Sequence, residues 1–115
     1  MSAAPKAFVI EKNAGFSKVL IFKDKNSRPV NLTGYAANMQ IRTNDGALQV
    51  DMSTANGRIT IGGTDGSVTL SIPASITSTL NFVTAAYDLL LTPAGGQPFR
   101  LLEGRISLSP GVTVI

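Results

Sequence analysis

The sequence has no cysteine, no histidine and no tryptophan among its 115 residues. Without cysteine, disulfides and thiolate metal sites are excluded, and the fold must be held by its core alone. That absence assigns no compartment, though it suits a protein that behaves the same in any redox setting. Without histidine the commonest general base and the commonest metal ligand are both missing. A Ser-His-Asp arrangement cannot be built within one such chain. Long apolar runs are lacking as well, since no stretch approaches the ~20 residues that cross a bilayer. The opening MSAAPKAFVIEKN has no basic segment leading into a long apolar one. It does not read as a signal peptide, and synthesis in the cytoplasm is expected.

Charge of one sign is scarce too. Ten Lys and Arg against seven Asp and Glu leave a net charge of +3. The basic residues are dispersed; only Lys23, Lys25 and Arg28 crowd together, with Asp24 among them. Nucleic-acid surfaces gather charge on one face and often interleave aromatics. The expectation is therefore a solvated surface, with neither nucleic acid nor membrane as partner.

What the chain does have is β texture from end to end. Eleven Gly and six Pro punctuate short segments in which β-branched and aromatic residues alternate with polar ones, the signal of strands and turns. AANMQIR (36–42) sets Ala37, Met39 and Ile41 against Asn38, Gln40 and Arg42. ALQVDM (47–52) keeps Leu48, Val50 and Met52 in step, and SVTLSI (67–72) does the same with Val68, Leu70 and Ile72. PASITSTLN (73–81) is the one place for a short helical turn, with Pro at its start. AAYDLLLT and PFRLLEGRISLS, joined through PAGG, predict a closing hairpin. Turn signals recur at the spacing expected of a sandwich. The reading is an all-β fold: a two-sheet antiparallel β-sandwich, immunoglobulin-like, with at most one short helix near residues 74–80. Residues 1–6 read as an N-terminal arm, 7–110 as the sandwich, and 111–115 as an apolar arm or final strand.

Chemistry is hard to find in this pattern. Asp45 and Asp65 stand beside Gly in NDGA and TDGS, where Asp is the ordinary turn residue. DMSTANG and GGTDGS lack the regular acid spacing and closing Glu of a calcium loop. Asp88 falls on the closing hairpin, where Arg100 or Arg105 is expected to face it as a cross-strand ion pair worth about 0.2–1 kcal/mol. No catalytic residue, cofactor site or metal site is assigned, and an enzyme is not expected.

Three stretches in order carry a resemblance: NLTGYAANMQIR (31–42), GRITIGGTDGSVTLSIP (57–73) and YDLLLTPAGGQPFRLLEGRISLSPGVT (87–113). Together they resemble a family of small proteins encoded among the tail and baseplate genes of tailed bacteriophages. They are similar, more loosely, to the immunoglobulin-like N-terminal domain of upper baseplate proteins. The likeness spans about residues 8 to 113, and the last stretch is its most specific part. The chain departs from the family at Gly111, where an acidic residue is common, and at its apolar ending. The resemblance implies a non-enzymatic structural protein of the virion, repeated symmetrically on the tail, baseplate or neck and contacting other virion proteins. A capsid-surface decoration protein and a host-surface carbohydrate-binding module are the alternatives. On this reading Val112, Val114 and Ile115 reach a neighbouring subunit or complete a sheet, and Lys6 and Phe8 join them as candidate interface residues. Leaving three β-branched side chains in water forfeits about 1.5–3 kcal/mol of burial for each.

Overall fold

The period-2 segments become strands whose dry faces meet. In the computed structural model, which describes residues 4–112, the order is β1 (Ala4–Pro5), β2 (Phe8–Glu11), β3 (Phe16–Ile21), β4 (Ala36–Arg42), β5 (Leu48–Ser53), β6 (Ile59–Ile61), β7 (Ser67–Ile72), α1 (Ala74–Thr77), β8 (Thr84–Thr92) and β9 (Phe99–Ser109). One sheet runs β1-β9-β8-β4-β5, with β2 also on β9; the other runs β3-β7-β6. This is the strand order of an immunoglobulin-like sandwich. The core between the sheets takes Ala37, Met39 and Ile41 from β4, Val68, Leu70 and Ile72 from β7, and Leu89 and Leu91 from β8. Each large aliphatic side chain removed from water there contributes about 1.5–3 kcal/mol.

Most pairings are antiparallel, but β1 and β2 run parallel to β9, which departs from the all-antiparallel expectation. A parallel pair needs a long crossover, and here everything from β3 to β8 supplies it. Ala4 and Pro5 stand opposite Leu102 and Glu103, and Phe8 to Glu11 opposite Ile106 to Ser109. Backbone bonds from Lys6 N–H to Glu103 O (3.0 Å) and from Lys12 N–H to Ser109 O (2.9 Å) extend the ladder. Among the described residues, sheet structure is thus present from residue 4 on, inside the stretch read as an arm.

Two irregularities redirect side chains. On β5 the register passes from Ile41–Val50 to Arg42–Leu48, leaving Gln49 without a partner. Such a bulge turns the strand by one residue, and Leu48, expected in step with Val50 and Met52, is 47 % exposed beside Arg42. On β9 the register passes from Leu89–Leu102 to Leu90–Arg100, skipping Leu101. That second bulge sets Arg100 on the outer face.

The helical turn α1 is anchored by its one fully buried polar side chain. The Thr77 hydroxyl donates to Ala14 O at 2.8 Å, tying α1 to the turn between β2 and β3.

Candidate functional site

The outer face of the larger sheet is where charged side chains come together. On it, Arg42 of β4, Ala86 of β8 and Arg105 of β9 stand directly opposite one another. One step along the strands, Asp51 of β5, Gln40 of β4, Asp88 of β8 and Glu103 of β9 form a second row. Arg100, brought outward by the β9 bulge, lies between two acids: Nε is 3.3 Å from Asp88 Oδ2 and Nη1 is 3.1 Å from Glu103 Oε1. These side chains are all more than a third exposed, so the pairs are worth less than about 1 kcal/mol each. Arg42 donates to Gln40 Oε1 and Gly46 O, each at 2.8 Å. Arg105 makes no ion pair or hydrogen bond among the described residues.

Ala86 is small and sits between longer neighbours, so the face is dimpled on both sides of it. One hollow of about 290 Å³ lies among Gln40, Arg42, Ala86 and Asp88. A second, of about 390 Å³, lies among Ala86, Asp88, Arg100, Glu103 and Arg105. Both are open and shallow, and neither brings a nucleophile to a base. Among the described residues no group of three acids could hold a metal ion, and no helix is long and apolar enough to cross a membrane.

Behind this face one polar contact reaches into the core. The Tyr87 hydroxyl donates to the Lys6 carbonyl at 2.6 Å, and its ring lies 5.4 Å from that of Phe8. Burial pushes the phenol up to about 12. Gly104 stands opposite Tyr87, and a Cβ there would fall 2.0 Å from Lys6 O. Its bare backbone is what lets the Lys6 carbonyl turn toward the phenol.

The candidate residues distribute as follows. Asp88 meets Arg100, whereas Arg105 lies opposite Ala86. Phe8 is a correction: at 3 % exposure it belongs to the core, edge-on to Phe16 at 6.1 Å, because it and Ile10 are the inward residues of β2. Lys6 is exposed, with Nζ 5.8 Å above the Phe8 ring, while its backbone is held on β9. Val112 is 99 % exposed; Val114 and Ile115 lie outside the described residues. Asp45 accepts from the Thr43 hydroxyl and from Ala47 N–H, and Asp65 from Ser67 N–H and its hydroxyl. Those bonds hold both carboxyls below the usual carboxylate range, as turn-closing residues should be. The rows through Arg42, Ala86 and Asp51 were not foreseen. Alternation had already turned Arg42 and Gln40 outward, but nothing local to β4 names β8 as its neighbour.

No protein-family model matches the chain, and no curated protein matches it in sequence. In three dimensions 117 solved chains match, so the fold by itself selects no function. One is the N-terminal domain of phage TP901-1 ORF48, at a TM-score of 0.54 and 11 % identity, covering 90 % of this chain and 85 % of that one. Another is CopC from Methylosinus trichosporium OB3b, at a TM-score of 0.49 and 13 % identity, covering 92 % and 88 %. At that score the second likeness carries no argument. The chain is thus an immunoglobulin-like β-sandwich that shares its fold with a domain of a phage protein.

Proposed function

We propose that this chain is a non-enzymatic structural protein of a tailed-phage virion, present in several copies on the tail, baseplate or neck. The observation that carries this reading is the fold shared with the phage domain over 90 % of the chain. The chemistry of the surface agrees: the exposed residues form ion pairs, turns and shallow hollows suited to contacts between proteins. Val112, fully in water, is offered to a neighbouring virion protein together with Val114 and Ile115. For the carbohydrate-binding alternative the face is poorly furnished. Tyr87 is buried and Tyr35 is half-buried against the core, and among the described residues the large apolar side chains left exposed are Val9, Val19, Ile21, Leu48, Val83 and Val112, none of them a stacking ring.

The experiment is quantitative mass spectrometry on purified particles, with tails and capsids separated. Several copies per particle in the tail fraction are expected. Recovery with capsids alone would favour the decoration protein, and absence from both fractions would overturn the virion reading. In the same system, deleting residues 111–115 should leave melting of the isolated chain within about 1 kcal/mol of the parent and remove the protein from particles. A large loss of stability would instead assign that segment to the chain's own sandwich.

A further inference from the structure

The two rows on the outer face have opposite charge and equal size. Arg42 and Arg105 carry two positive charges across Ala86. Asp51, Asp88 and Glu103, with Arg100 among them, leave two negative ones. Neighbouring strands lie about 4.8 Å apart and alternate residues about 6.8 Å apart along a strand, so the pattern is a compact block on the middle strands of the sheet. A two-fold axis lying along the face, between the rows and parallel to them, maps each row onto the other and leaves every strand in its own column. The face is therefore complementary to itself, which is what an isologous contact demands.

We infer that the outer face of the six-stranded sheet is a two-fold homodimer surface, and that the partner's Asp88 occupies the hollow over Ala86, between Arg42 and Arg105. The same operation sets the partner's Glu103 over Arg105, the partner's Gln40 over Arg42 and, at the rim on β5, the partner's Asp51 over Leu48, so the charge matching is carried by β8 and β9. The column position explains the alanine: at Ala86 the mapped residue is Asp88, and any longer side chain would fill the space its carboxylate enters. It also accounts for Arg105, whose guanidinium has no partner within the described chain. An unrelated partner would need only one of the rows, whereas a second copy uses both. The contact extends the multi-copy reading but stands apart from it. A chain that dimerises through this face yet is missing from particles would remove the virion role and keep the dimer.

Sedimentation equilibrium of the full chain tests this. At low salt the parent should show a reversible dimer of the 12.0 kDa chain, dissociating as salt screens the rows. Ala86→Arg, on an exposed position, should weaken it by about 30-fold or more, the scale of a central contact residue. Two charge variants sharpen the result. R42E/R105E makes both rows negative and D88R/E103R makes both positive. Each alone should be monomeric, and the two mixed should form a one-to-one heterodimer. Circular dichroism and melting confirm that every variant is folded. A parent that stays monomeric at about 1 mM, a dimer indifferent to Ala86→Arg, or charge variants that fail to pair on mixing would each overturn the inference.

Discussion

Gly104→Ala should destabilise the fold by about 3–5 kcal/mol, more than most substitutions that remove nothing. The added methyl carbon would stand 2.0 Å from Lys6 O, 2.9 Å from Lys6 C and 3.3 Å from Lys6 N. All three are backbone atoms, so no side chain can swing aside. Gly104 does not have a positive φ; the demand is for space and not for an unusual conformation. Relief requires the β1–β2 segment to lift from β9, losing the bonds from Lys6 N–H to Glu103 O and from Tyr87 Oη–H to Lys6 O. Overpacking of this kind costs about 1–3 kcal/mol, and each hydrogen bond lost adds roughly 0.5–1.5 kcal/mol. Urea denaturation measures it, with Lys25→Ala, on an exposed turn away from this face, as a control that should change little. A Gly104→Ala variant within about 1 kcal/mol of the parent would show that the first strand does not lie on β9 as described.

Tyr87→Phe should cost about 1–3 kcal/mol at neutral pH, because the Lys6 carbonyl loses its phenol donor. The same residue gives a pH dependence of definite sign. Its folded pKa, about 12, is above the value of about 10 in an unfolded chain. The phenol's contribution is therefore complete below pH ~10 and is lost as pH rises toward ~12, since the unfolded chain releases its proton first. Stability curves of the parent and Tyr87→Phe should be well separated at pH 8 and converge or cross between pH 10 and 12. Curves that stay parallel over that range would mean the phenol ionises as freely folded as unfolded.

What could be read in advance follows from what a strand encodes locally. Alternation states which side chains face inward, and for β4 and β7 that suffices: Ala37, Met39 and Ile41, and Val68, Leu70 and Ile72, are the inward residues anticipated for them. It does not state which strand lies alongside or in which direction. Phe8 reads as a candidate interface residue until β2 is seen to run along β9, and then its inward position follows. Leu48 carries the right parity, but the unpaired Gln49 reverses it; the bulge depends on how the turn after β4 meets β5. The Asp88–Arg100 pair was within reach because one short turn joins β8 and β9. The Arg42–Ala86–Arg105 row joins β4 to β8, and a pairing between strands so far apart in the chain leaves no local mark.

The parallel lie of the first strand on the last also sets how the molecule bears tension. A pull between residues 4 and 109 draws β2 toward its start and β9 toward its end, along one shared line. The two strands must slide past each other, so every bond of the ladder is strained at once. An antiparallel closing pair under the same pull would open one bond at a time. A stretching experiment should then record a single high-force rupture for the domain, where a succession of low-force steps would show the ends peeling. A domain that joins its two ends in this way resists being pulled apart along the line between them.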